Sequence, residues 1–267
     1  MSDLLAAIGD GLVIARRNVI KIIRVPELLA FVLVSPVMFV LLFAYVFGNA
    51  IDIPGGSYRE FLIAGIFAQT VVFGATFTGA GLAEDMQKGI IQRFKSLPMS
   101  RAAVIVGRTA SDVIYNVLSL AFMAITGLLV GWRIRGSFLD AVLGFAILLL
   151  FAYSFSWIMA LIGLLVPSPE VVNNASFIVI FPITFIANTF VPAETLPGPL
   201  KAFAEWNPVS AITQASRELF GNIPAGTPEP TAWPLQNPVL YTIIWSFLII
   251  AIFAPLAVGQ YRRVTQR

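Results

Sequence analysis

The chain has 267 residues, 58% of them hydrophobic and 12% charged, with 17 Lys and Arg against 14 Asp and Glu for a formal net charge of +3. With a mean hydropathy of +0.87, it reads as an integral membrane protein. It contains no histidine and no cysteine, which excludes histidine proton relays, Ser–His hydrolysis, disulfides and the usual zinc sites.

A hydrocarbon core of roughly 30 Å needs about 20 residues of helix. Six uncharged runs are that long: Leu28–Gly48, Phe61–Ala83, Val113–Trp132, Ala141–Val166, Val171–Val191 and Val239–Gln260. Spanning strands would be shorter and would alternate apolar with polar residues. The expected fold is therefore all-α with six transmembrane helices in a single membrane domain, 1–267, without repeats.

Residues 4–24 precede the first span and predict an amphipathic interfacial helix. Leu5, Ile8, Leu12, Val19 and Ile23 share one side, opposite Arg17, Lys21 and Arg24, an arrangement suited to the acyl boundary and anionic headgroups; a plain topogenic basic segment is the other reading. Asp3 and Asp10 stand where a cleavable signal would be basic, so the first span is expected to remain as an anchor. Pro26 breaks the helix before that span.

The second span carries GATFTGAG at 74–81. Its small residues (Ala75 with Gly79, Thr76 with Ala80) allow close helix packing, and substrate contact is the sharper alternative. Gln69 and Thr70 should face the protein interior. The loop that follows, EDMQKGIIQRFKSLPMSRAAVIVGR from Glu84 to Arg108, sets Phe94, Leu97, Pro98 and Met99 among Lys88, Arg93, Lys95, Arg101 and Arg108. Staying wet requires no phenylalanine or methionine, so this mixture predicts a short helix presented to a soluble partner.

Asp112 and Asp140 are expected at membrane edges. The fifth span is the most polar, with Asn173 and Asn174 near one end, Asn188 and Thr189 near the other, and Pro182 midway. It suits a pathway, a subunit interface or plain helix–helix hydrogen bonding equally. From Pro192 to Pro238 the chain holds nine of its seventeen prolines. Two short helices dipping into the outer leaflet are expected there at 199–205 and 209–220, with Trp206 and Trp233 as interfacial anchors.

Placing both termini and the charged loop on one side puts twelve of the seventeen basic residues there. By the positive-inside rule that side is cytoplasmic. The basic balance is thus topology, with no nucleic-acid partner implied.

The stretch GLAEDMQKGIIQRFKSLPMSRAAVIVGRTASD resembles the cytoplasmic loop of type-2 ABC exporter permeases, nearest the daunorubicin-resistance group of actinobacterial drug exporters. TFVPAETLPGPLKAFAEWNPVSAITQASREL resembles that group's outer segment. The resemblance implies the type-2 ABC exporter fold in a multi-pass bacterial plasma-membrane protein. It implies a homodimer of permeases bound to two cytosolic ATP-binding subunits, with ATP and magnesium in those partners and no cofactor, metal or catalytic residue here. A coupling helix within 84–101 would engage them through Glu84, Asp85, Lys88, Arg93, Phe94, Leu97, Pro98, Met99 and Arg101. The cargo would be a lipophilic small molecule, passing between two permeases along a pathway that Gln69, Phe73, Phe77, Asn188 and Phe190 would line, with 192–238 as an external re-entrant segment. No G-x-x-x-x-G-K-[ST] occurs in the chain, so it is not the motor.

A polysaccharide- or glycolipid-exporting permease and a membrane scaffold that docks a soluble partner are the alternatives. An ion-coupled secondary transporter would want ionisable residues within the spans, and the expected spans hold none away from their ends.

Overall fold

The computed structural model describes residues 20, 34, 36–47, 56–91, 101–166, 168–223, 226–227 and 229–266. Among these, regular structure is entirely helical. We label the helices α1 (Pro36–Val46), α2 (Tyr58–Gly74), α3 (Thr76–Gln87), α4 (Arg101–Val130), α5 (Phe138–Leu165), α6 (Pro169–Phe185), α7 (Gly198–Trp206), α8 (Pro208–Phe220), α9 (Trp233–Gln236) and α10 (Pro238–Gln266).

Four helical stretches are long and apolar enough to cross a membrane: Tyr58–Gln87, Val104–Val130, Phe138–Leu165 and Pro238–Val264. The first and fifth expected spans correspond to the shorter apolar helices α1 and α6. The expected interfacial helix at 4–24 lies outside the described residues, apart from helical Ile20.

Several helix ends have a local reason. Ser137 and Asp140 form a reciprocal capping box at the start of α5, which gives Asp140 a structural role at the helix end. Ser168 caps α6 ahead of Pro169, and Asn207 caps α8 ahead of Pro208, using proline where its missing N–H costs nothing. At the far end of α8, Gly221 takes φ 69°, and the Asn222 N–H reaches back 2.8 Å to the Arg217 carbonyl. That is the left-handed stop that glycine accommodates best.

α6 ends at Phe185 instead of continuing to Val191. Pro182 can donate no backbone hydrogen bond, and the Asn207 side-chain amide donates to the Ile183 and Ile186 carbonyls at 2.7 and 3.0 Å. Asn188 and Thr189, expected within the span, therefore lie in the segment after the helix.

α5 is the hub, packing on α10 most extensively and also on α3, α4, α8 and α2. The α2–α3 stretch is the most enclosed, with 83% of its most apolar window buried against 22% for α10, so α10 lines the rim. Gly79 and Gly163 bring α3 and α5 into backbone contact, where a Cβ on either would strike the other helix. The small residues of the second span thus serve tight packing within the chain.

The end of the body away from Gln87 is closed by α8, which α2, α5 and α10 surround. Phe67, Trp132, Phe145 and Phe220 meet there with ring centroids 5.0–5.8 Å apart. Trp132 is fully buried, and its indole N–H donates to Asn222 Oδ1 at 2.7 Å while the Asn222 amide donates to the Arg133 carbonyl at 2.8 Å. Asn222→Leu leaves both partners unpaired in an apolar setting and is expected to cost about 2 kcal/mol, read as a lower thermal midpoint in detergent; an unchanged midpoint would refute this role.

Arg108, expected in the loop, and Asp112, expected at a membrane edge, both lie on α4, where Asp112 is 4% exposed. The apolar run breaks at each charge, yet the helix continues through both, and each meets a partner on α3.

Candidate functional site

The charged loop is rooted in a defined apolar cluster. Leu82 of α3 and Ile91 just beyond it pack with Val104 and Ile105 of α4, Trp157 and Leu164 of α5, and Ala257 and Tyr261 of α10. The long α2–α3 stretch ends at Gln87, and Gly89 turns the chain with φ 65°. Glu84 and Lys88 pair one turn apart on the final turn, and hydrogen bonding to Glu84 raises the lysine's pKa. Asp85 is buried on the same turn. Arg93, Phe94, Leu97, Pro98 and Met99 lie outside the described residues, and Arg101 is described only as the first residue of α4. Ile91 before the loop and Val104 and Ile105 after it are thus held in the body of the protein.

The five expected pathway residues do not form one exposed lining. Gln69, Asn188 and Phe190 are buried, Phe73 is partly buried, and Phe77 is 39% exposed. Phe73 and Phe190 belong to a ladder of rings that joins three helices. Phe73 meets Phe177, then Phe181 and Phe185 follow along α6, and Phe190 stacks on Phe43 of α1 at 4.4 Å. Beside this ladder α1 and α6 expose Met38, Tyr45, Val46, Phe177, Ile178 and Val179. Asn173 and Asn174 are exposed on α6 as well.

Asn188 has a different setting. Arg217 of α8, 1% exposed, donates from Nη1 to Asn188 Oδ1 at 2.6 Å, from Nε to the Phe61 carbonyl at 3.0 Å and from Nη2 to the Thr189 carbonyl at 3.3 Å. Its guanidinium also lies 3.4 Å from the centre of the Phe61 ring, a cation–π contact. Asn188 is held further by Ser210, which accepts from its backbone N–H at 2.9 Å, and by Gln214, which accepts from its amide at 3.2 Å. Among the described residues no carboxylate reaches ion-pair distance of Arg217. Burial pulls its pKa down to about 9, with Glu194 and Tyr58 opposing, so the group stays protonated at neutral pH.

The sequence reading assigned Arg217 no role. The available signal was local: Val209, Ile212, Thr213, Ser216 and Phe220 mark a face of α8, and Arg217 stands within it. A lone cation on such a face is held by carbonyls when no carboxylate is near.

The charged loop, the α3, α4 and α5 part of its apolar root and the α1–α2–α6 ladder lie within residues 11–220, which match the sequence model of the ABC-2 type transporter family. The chain belongs to that family. Among curated relatives, this ABC-2 chain is 36% identical over 237 residues to the daunorubicin resistance ABC transporter permease protein DrrB1 of Streptomyces coeruleorubidus, covering 89% of this chain and 80% of the relative. It is 24% identical over 235 residues to the "Probable doxorubicin resistance ABC transporter permease protein DrrC" of Mycobacterium tuberculosis, covering 87% and 81%. The ABC-2 chain is thus a multi-pass membrane protein of the ABC transporter permease kind, in a family whose members work with ATP-binding subunits. The family match ends with α8 and leaves α9 and α10 outside it.

Proposed function

We propose that the chain is the transmembrane subunit of an ATP-driven exporter that moves a lipophilic small molecule out of a bacterial cell by alternating access. Two permeases would pair and bind two cytosolic ATP-binding subunits, which hold ATP and magnesium. In this reading α1 and α6 complete a set of six spans, both termini are cytoplasmic, and 192–238 forms a re-entrant segment on the outer side. The observation that carries the reading is the charged loop clamped at both stems by the Leu82–Ile91–Ile105–Trp157 cluster. A loop serving topology alone has no need of such an anchor, whereas a loop that transmits force does.

Phe94, Leu97 and Met99 act as apolar anchors in a groove of the ATP-binding subunit. Pro98 ends the coupling helix, and Glu84, Asp85, Lys88, Arg93 and Arg101 set orientation. The relatives' names support a drug-like cargo, and the ring ladder from Phe73 to Phe43 offers the apolar surface such a cargo would follow. Gln69, Phe77 and Asn188 remain the polar and exposed candidates beside it.

The test is co-purification of the tagged permease with a candidate ATP-binding subunit. Phe94→Ala with Met99→Ala is expected to weaken the complex by about 30-fold or more, the loss of two hot-spot contacts, and to abolish permease-dependent ATPase activity in lipid. Equal recovery of the subunit with wild type and double variant would remove the docking assignment. No recovery with either would favour a scaffold.

A further inference from the structure

Helices α3 and α4 are the two stems of the charged loop, yet they scarcely lean on each other. α3 packs mainly on α5 and α6, and α4 packs mainly on α5 and α2. Their register relative to one another is set by a short polar zipper. Thr78 Oγ1 donates to Asp112 Oδ2. Arg108, one turn earlier on α4, donates to the Phe77 carbonyl at 2.8 Å. Its guanidinium fits because Gly81 carries no side chain, since a Cβ there would collide with it. Asn116 anchors the same face by donating to the Asp112 carbonyl at 2.8 Å. Arg108, Asp112 and Asn116 follow at i, i+4 and i+8, and Gly81, Thr78 and Gly74 answer them in antiparallel order.

Asp112 lies on α4, 4% exposed. A buried carboxylate is costly unless it is paired or hydrogen-bonded. On the loop side of Ala75, where α2 and α3 break, Thr78 and the Phe77 carbonyl are paired across to α4.

We propose that Thr78, Asp112 and Arg108 form the latch that positions the coupling loop, holding its two stems in register so that force applied at 92–100 enters the spans instead of being absorbed by α4 sliding along α3. Asp112 is a positioning residue: its carboxylate accepts from Thr78, and Arg108 four residues before it supplies the neighbouring positive charge while gripping α3 directly. The inference rests on the exporter reading for its consequence, but the latch itself is testable in the permease alone.

The chain contains no cysteine, so spin labels can be placed at Gln87→Cys and Val106→Cys, on outward positions of α3 and α4. In lipid discs the permease with Thr78 intact is expected to give one narrow distance distribution. Thr78→Val, which removes the donor at nearly constant volume, is expected to widen it at least roughly twofold, and Thr78→Ser to restore it. Arg108→Lys, which loses the reach to the Phe77 carbonyl, is expected to widen it less and keeps the test decisive if Thr78→Val does not fold. In liposomes with the ATP-binding subunit, Thr78→Val is expected to retain the subunit and its ATP hydrolysis. The export of doxorubicin, a fluorescent lipophilic amine used as the probe, per ATP consumed should fall about fivefold or more. Unchanged label widths in both Thr78→Val and Arg108→Lys would overturn the latch. Widened distributions with unchanged export per ATP would overturn its role in coupling. Failure of the unsubstituted permease to recover the ATP-binding subunit would overturn the exporter reading and the latch's coupling role, with the label widths still deciding whether the latch exists. A permease that recovers the subunit and exports no doxorubicin would overturn the doxorubicin result expected here, again with the label widths deciding the latch.

Discussion

Replacing Arg217 by methionine is expected to destabilise the protein by about 3 kcal/mol or more, one of the two largest single-residue losses the structure implies. The sign needs an argument, because removing a buried charge also removes its desolvation penalty. The acceptors left behind decide it. Arg217 serves the Phe61 carbonyl at 3.0 Å, Asn188 Oδ1 at 2.6 Å and the Thr189 carbonyl at 3.3 Å. Each acceptor deprived of a charged donor costs about 1–3 kcal/mol when water cannot reach it. The contact with the face of Phe61 is lost as well.

Arg217→Lys keeps the charge, but one ammonium cannot reach acceptors that come from α2 and from the segment after α6. It is expected to recover less than half of the loss. Pairing Arg217→Met with Asn188→Leu removes one stranded acceptor along with the donor. The double variant should be less destabilised than the sum of the two single changes, the signature of a shared contact. Tryptophan fluorescence during thermal unfolding in detergent reads all four proteins. A neutral Arg217→Met would show that the guanidinium is spectator charge, not the clamp between α2, α8 and the 186–190 segment.

Gly163→Val is expected to cost about 3 kcal/mol by a different route. A Cβ at Gly163 would overlap the backbone of Gly79, and a Cβ at Gly79 would meet the Met159 carbonyl at 2.7 Å. No rotamer relieves a clash that begins at Cβ, so α3 and α5 must separate, and overpacking of this kind costs about 1–3 kcal/mol or more. Separation also loosens Leu82 from Trp157 and Leu164, which root the charged loop. A poorer ATPase response should therefore accompany the lower thermal midpoint. Gly259→Ala on α10 is the control: nothing lies within 4 Å of a Cβ there, and replacing a helical glycine in open space is expected to be neutral or stabilising by up to about 1 kcal/mol. If Gly163→Val behaves like Gly259→Ala, the close approach of α3 and α5 is not a constraint on the fold.

Much of this was legible from residue order. Long apolar runs marked α2–α3, α5 and α10 because burying roughly 20 apolar residues in a helix is a property of the segment itself. The odd mixture of Phe94, Met99 and basic residues that singled out the loop was equally local. Reading failed where a residue's state depends on a distant partner. Hydropathy ended the apolar run at Asp112 and left Arg108 in the loop, because it scores each charge alone; α4 runs on through both, with Thr78, Phe77 and Gly81 of α3 opposite them. Hydropathy likewise ran the fifth span on to Val191, although Asn207 takes the carbonyls freed beyond Pro182 and α8 draws Asn188 aside.

Sequence by itself determined that this protein lives in a membrane and where most of its helices lie, and it marked Gln69 and Thr70 as inward-facing, since solvation and local backbone preference act residue by residue. Tertiary structure alone decided what the buried charges pair with. Arg217 is a clamp only because Phe61, 156 positions away in the chain, presents its carbonyl and ring to it. Asp112 is tolerated only because Thr78 faces it from another helix. A polar side chain carries its cost in its own chemistry, but the hydrogen bond that offsets that cost is supplied by whatever the fold brings opposite.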